Sequence, residues 1–139
     1  MKLDRHLCNM SAKLFVLSVK MGIDSENFVD KLFNSDIANV FYKSELSTNW
    51  LGEEYVMSVM DYELKFSRGK TYEEEFMYWA GYIYKAWNFL YENDSPREIL
   101  KQAPLSVLRR SYTGLHVMPY EMAVEDLKEM YKENSKEKV

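Results

Sequence analysis

Two side chains stand at a spacing that could carry chemistry. Arg110 is followed by five residues and then His116, in the run RSYTGLH. A histidine can act as general acid or base toward a hydroxyl, and a nearby guanidinium can hold the charge of a phosphate. Arg97, Lys101, Arg109 and Arg110 form the only basic cluster, which could receive phosphates or an acidic partner, or simply be solvated. Other chemistry is thin. One Cys and two His exclude an internal disulfide and the usual four-ligand Cys/His zinc site. No Ser–His–Asp set, P-loop or glycine-rich phosphate loop appears, and no carboxylate pair stands out. No cofactor and no metal are therefore expected. His6 falls on the polar side of its segment and Cys8 beside an apolar seam, so a solvated imidazole and a small buried thiol are expected.

The elements that would position these residues are helices. Leu3, Leu7, Met10, Leu14, Leu17 and Met21 recur at alternating steps of four and three, a helical seam over about 3–21 that Gly22 can close. Asp24 or Ser25 can cap a second helix with Phe28, Val29, Leu32 and Phe33 inside. A third, short helix is predicted over 36–43, and the polar stretch SELSTN (44–49) reads as the main loop. Over about 50–67 one stripe holds Tyr55, Val59, Tyr62 and Phe66 and another holds Val56, Met60 and Leu64. Two stripes predict a helix with neighbours on both sides. Thr71 with Glu74 reads as a capping box opening a helix to about Tyr91. Ser95, Pro96 and Glu98 form a second capping box, with Pro at the first helical position. Pro104 restarts a helix to about Leu115, and Gly114 and Pro119 bracket a turn at His116. The last helix starts near Pro119, places Tyr120, Ala123, Leu127 and Met130 or Tyr131 inward, and frays over 133–139. In it each Glu of a stripe from Glu125 to Glu133 has a Lys three residues on. Period-two alternation is absent, so the expected fold is all-α, a single-domain bundle of six to eight helices over 1–139 around a central aromatic-rich helix.

That central segment, 72–91, holds 9 of the chain's 21 aromatic residues. Phe76, Trp79, Ala80, Ile83, Trp87 and Leu90 share one face, and Tyr78, Tyr82 and Phe89 another, with Tyr84 between. A surface helix needs only one apolar stripe, so the segment is either the core of the bundle or partly open to a partner. The expected partner contacts are Tyr78, Tyr82, Tyr84 and Phe89, with Arg109 and Arg110. Gly81 in mid-helix costs about 1 kcal/mol relative to Ala, which close approach of another helix would explain. Only Lys85 supplies positive charge there, so stacking on nucleic acid is not expected.

Bulk properties narrow the class. At 139 residues, 47% hydrophobic and 29% charged, the chain has the material for one buried core and a soluble surface. A net charge of −4 counts against a general nucleic-acid binder. Polar residues interrupt the first ten positions, and no window approaches the roughly 20 apolar residues that span a bilayer. A soluble, cytoplasmic protein without a membrane partner is expected, its lone Cys fitting a reducing compartment.

Two resemblances bear on function. The spacing of Arg110 and His116 resembles the Arg–x(4–6)–His motif of HEPN-type ribonucleases, small all-helical proteins that often act as dimers. The polar residue that follows the Arg in that family is here only Ser111, and Gly114 places the helix end before His116. The C-terminal half, in YWAGYIYKAW (78–87), SPREILKQAP (95–104) and SYTGLHVMPYEMAVEDL (111–127), resembles small uncharacterised bacterial proteins encoded in toxin–antitoxin-type operons, some beside ADP-ribosyltransferase-like toxins. Tyr112, Leu115, His116 and Glu125 to Leu127 carry that likeness, and residues 1 to about 50 lie outside it. The expectation is a non-enzymatic protein-binding module, the antitoxin or accessory partner of a toxin, which covers the partner's active site. The alternatives are a HEPN-like ribonuclease using Arg110 and His116, and a homodimeric helical scaffold built on the Leu3–Met21 seam.

Overall fold

The computed structural model describes residues 4–36 and 45–137, with side chains over 4–36 and 52–135. Seven helices appear among them: α1 (Arg5–Lys20), α2 (Ser25–Phe33), α3 (Glu45–Leu64), α4 (Glu74–Leu90), α5 (Pro96–Gln102), α6 (Leu105–Leu115) and α7 (Tyr120–Glu137). No strand occurs among the described residues, so the fold is all-α. The helix predicted over 36–43 lies, but for its first residue, outside the described residues. One hydrophobic cluster draws on all seven helices, from Leu14 and Phe15 of α1 to Ala123, Val124 and Leu127 of α7.

The centre is the crossing of α1 and α4, the most extensive helix–helix contact. Gly81 makes it possible: a Cβ built there would lie 2.9 Å from the Ala12 Cα and 2.8 Å from the Phe15 ring. Ser11 Oγ donates to the Gly81 carbonyl at 2.8 Å, so a buried hydroxyl is satisfied across the same crossing. The aromatic helix is therefore core over most of its length. Every residue from Trp79 to Trp87 is buried. Around Phe15, the rings of Phe28, Phe33 and Tyr84 lie with centroids 5.1, 6.4 and 6.0 Å away.

Local signals set several boundaries. Asp4 and Asp24 accept from backbone N–H groups to cap α1 and α2, and Gly22 takes φ +72° just after α1, as its position predicts. Ser95 accepts from the Glu98 N–H at 3.2 Å with Pro96 in the first turn of α5. Four expectations need correction. Of the expected main loop at 44–49, the described residues 45–49 are helical instead, and the break falls at Gly52 (φ 76°, ψ 160°), a conformation that glycine adopts without steric cost. The helix expected to run to Ser67 stops at Leu64, where Lys65 turns to φ 53° and Lys31 Nζ donates to the carbonyls of Leu64 and Lys65. Thr71 does not cap α4. That helix starts at Glu74 after Glu73, with no side-chain capping bond, because 67–72 is pinned to the start of α2 instead. Asp24 N–H donates to Ser67 O at 2.8 Å, Ser25 N–H to Lys70 O at 3.0 Å, and Tyr72 N–H to Ser25 Oγ at 2.9 Å. Finally, α7 does not fray at 133 but is helical through Glu137.

The expectation that α3 has neighbours on both sides also fails. Val56, Met57 and Met60 are buried, while Tyr55 and Tyr62 point away from the core, 54% and 80% exposed. His6 is exposed, as expected, and Cys8 is fully buried beside Ala12 and Ala86. Burial pushes the Cys8 thiol up to about 12, against a smaller opposing pull from Lys85. A thiol so held is protonated at neutral pH and unreactive. Iodoacetamide at pH 8 is expected to leave native Cys8 unmodified and to alkylate it fully in guanidinium chloride, as intact-mass measurement would report; rapid alkylation of the native chain would contradict this packing.

Candidate functional site

The α4 start and α6 lie side by side because Phe76, near the N-terminus of α4, packs edge-on against Tyr112 of α6, with centroids 5.5 Å apart at 90°. Trp79, one turn on, meets Tyr112 from below at 5.4 Å. Above this aromatic floor lies a groove of about 530 Å³ lined by Tyr72, Glu73, Glu75, Phe76, Ser106, Arg109, Arg110 and Tyr112. That volume falls in the range of small-ligand and short-peptide sites.

Its rims are charged. Arg109 Nη2 donates to Glu73 Oε1 at 2.9 Å across the groove, and its guanidinium lies 4.3 Å from the centroid of the Tyr72 ring. A hydrogen bond to its own backbone N–H and the one from Arg109 hold the Glu73 carboxyl below its ordinary value. Both partners are substantially exposed, so the pair sets geometry more than stability. Arg110, the next residue, is exposed and makes no ion pair among the described residues. Trp79 adds one unusual feature, a buried indole N–H with no hydrogen-bond partner among the described residues. An orphaned donor of this kind costs about 1–3 kcal/mol, which marks the ground beneath Phe76 and Tyr112 as less than fully satisfied.

The sequence-predicted residues separate here. Arg109 and Arg110 both reach the groove. Tyr78 is exposed, its hydroxyl donating to Asn9 Oδ1, and Phe89 is half-buried beneath Lys85, whose Nζ lies 5.3 Å from the ring centroid. Tyr82 and Tyr84, expected as partner contacts, are buried within the chain. Tyr82 stacks on Tyr120 of α7, with centroids 4.0 Å apart at 22°. Tyr84 lies 4.8 Å from Phe33 and donates to the Ala103 carbonyl at 2.7 Å, at the C-terminus of α5. Periodicity placed both rings on helix faces, but α7, α2 and α5 cover those faces. The groove residues that sequence reasoning missed are Tyr72, Glu73, Glu75 and Ser106. Nothing local signals them, because Glu73 and Arg109 lie 36 positions apart.

Among the described residues no hydrogen bond joins Arg110 to His116, whose imidazole turns to Tyr112 instead. His116 is the C-cap of α6; its Nδ1–H donates to the Tyr112 carbonyl at 2.7 Å, and its ring stacks on Tyr112 at 4.4 Å and 21°. That carbonyl already accepts the His116 backbone N–H at 2.9 Å, so the imidazole adds a second bond to the same acceptor. His116→Ala is therefore expected to lower stability by up to about 1 kcal/mol and to change no RNA hydrolysis. An RNA-cleaving activity of the purified chain that this substitution abolished would favour the ribonuclease alternative.

Among the described residues, no three His, Cys, Asp or Glu side chains converge to hold a metal ion, and no helix is long and apolar enough to cross a membrane. No protein-family model matches this chain, and no curated protein or solved structure is similar enough to it to count as a match.

Proposed function

We propose that the chain is a non-enzymatic protein-binding module, acting as the antitoxin or accessory partner in a bacterial toxin–antitoxin-type pair, and that it works by occluding its partner. The observation that carries this reading is the α4–α6 groove. It is an aromatic recess of about 530 Å³ with one guanidinium, Arg110, left over for an incoming carboxylate. Tyrosine and arginine are the residue types that most often anchor protein interfaces, and a guanidinium pairs with carboxylates in a bidentate way. The resemblance of 78–127 to proteins of toxin–antitoxin-type operons supports the same setting.

The test is co-expression with the product of the adjacent gene. Co-purification and relief of toxicity are expected, and Arg110→Glu is expected to weaken the complex at least tenfold, since it places like charge against an acidic contact. If the two proteins neither co-purify nor alter each other's effect on growth, the reading fails. If they do but Arg110→Glu leaves affinity unchanged, the groove is not the contact.

A further inference from the structure

A second surface, on a different helix, has the opposite electrical character. After the break at Gly52, residues 53–64 contain Glu53, Glu54, Asp61 and Glu63 and no Lys or Arg. Their charge of −4 equals that of the whole chain, so everything outside this stretch sums to zero (−4 minus −4). Only Asp61 is paired, with Arg68 at 3.0 Å; the three glutamates make no ion pair among the described residues. Tyr55 and Tyr62 are seven positions apart, which places them on one face of the helix about 10 Å apart along its axis. Both are exposed, and Val59 between them is half-buried. The buried side of the same helix is the opposite one, through Val56, Met57 and Met60. The result is an outward stripe of two tyrosines with Glu54 on one flank and Glu63 on the other.

A pair of exposed tyrosines in register, unlike scattered ones, is the composition of an interface, where a ring supplies area at little entropic cost and its hydroxyl stays wet. The charge around the pair decides what can cover it. Nucleic acid and anionic lipid are repelled, and so is the same face of a second copy. We infer that the Tyr55–Tyr62 face of α3 docks a cationic protein surface, with Lys or Arg side chains meeting Glu54 and Glu63 around apolar contacts to the two rings. The inference concerns a surface separate from the α4–α6 groove and stands or falls apart from it.

The experiment is a chemical-shift titration of the full chain, labelled with ¹⁵N, against an acetylated and amidated amphipathic Lys/Leu peptide and its Glu/Leu counterpart. The Lys/Leu peptide is expected to give saturable shifts confined to 54–63, weakening with salt, and the Glu/Leu peptide none. The double variant Tyr55→Ser/Tyr62→Ser, at exposed positions that leave the core intact, is expected to lose at least tenfold in affinity with an unchanged circular dichroism spectrum. Shifts spread over the surface and undiminished in the double variant would mean general charge attraction and would overturn the inference. Absence of saturation, or equal binding of the Glu/Leu peptide, would do the same. So would sedimentation equilibrium showing a wild-type dimer that the double variant dissolves, since the face would then belong to a second copy.

Discussion

Replacing Asp94 by alanine is expected to destabilise the protein by about 3 kcal/mol, although the residue sits in a turn and belongs to no helix. Its Oδ2 accepts three hydrogen bonds, from Trp87 Nε1 at 2.9 Å, Gln102 Nε2 at 3.1 Å and Lys128 Nζ at 2.8 Å. Those donors come from α4, α5 and α7, so one carboxylate fastens three helices. The Lys128 ammonium also donates to Gln102 Oε1 at 3.1 Å and lies 4.3 Å from the Tyr91 ring centroid and 5.3 Å from that of Trp87. Removing the acceptor orphans the indole of a fully buried Trp87 and leaves a mostly buried ammonium without its counter-charge. Deleting one member of a buried pair costs about 3–5 kcal/mol, and the partial exposure of both groups places this pair at the low end. At roughly 3 °C per kcal/mol for a chain of this length, Tm should fall by about 9 °C. A loss below about 1 kcal/mol in urea unfolding would show that the three donors find water as readily as they find Asp94.

The same residue gives the stability a pH dependence whose sign can be worked out. Burial raises the Asp94 carboxyl, but the hydrogen bonds from Lys128, Trp87 and Gln102 outweigh it, so its folded value lies below the ordinary aspartate value. A carboxylate depressed in the folded state stabilises in full above its unfolded value, near 4, and loses that contribution as pH falls through the lower folded value. The gap in stability between wild type and Asp94→Asn is thus expected to be widest at neutral pH and to narrow below pH 4. A gap constant from pH 7 to pH 3 would assign the effect to packing and not to charge.

Much of this architecture is legible in the sequence because helical periodicity and caps are local. Leu7, Met10 and Leu14 announce α1, and Ser95, Pro96 and Glu98 announce α5, each within a single turn or two. What periodicity does not carry is the identity of whatever covers a face. It placed Tyr82 and Tyr84 on faces of α4 that α7, α2 and α5 occupy, and it gave α3 two stripes of which only one is buried. Contacts between distant residues are equally silent. In α7, the i, i+3 pattern predicted a Glu125–Lys128 pair as much as the Glu129–Lys132 pair found at 3.7 Å, yet Lys128 turns to Asp94, 34 positions away. The groove is the same case: both arginines were visible in the sequence, but their opposite wall, Tyr72 to Phe76, becomes a wall only when α4 and α6 pack. Gly81 is the exception, a long-range contact announced locally, because a glycine in mid-helix is costly unless something needs the space.

That exception makes the second large effect. Gly81→Ala is expected to destabilise by about 2 kcal/mol even though alanine is the better helix former by about 1 kcal/mol. The new Cβ would stand 2.9 Å from the Ala12 Cα, a backbone atom that moves only if α1 moves with it. Its other neighbour is the Phe15 ring at 2.8 Å, which is fully buried and wedged among Phe28, Phe33 and Tyr84. Backing α1 away would stretch the 2.8 Å bond from Ser11 to the Gly81 carbonyl, so the strain cannot be relieved without losing a buried hydrogen bond. Overpacking of this kind costs about 1–3 kcal/mol, sometimes more, and here it exceeds the gain in propensity. Gly114→Ala is the internal control. It sits in α6, exposed, with nothing within 4 Å of the added Cβ, and should stabilise by up to about 1 kcal/mol. The same substitution thus changes sign between two helices of one protein, and urea unfolding of both variants reads it directly. Phe15→Leu, damaging alone, should recover part of the loss when combined with Gly81→Ala, giving a coupling energy that distant sites lack. If both alanine variants prove equally stabilised, α1 and α4 do not cross at Gly81 as closely as these distances require.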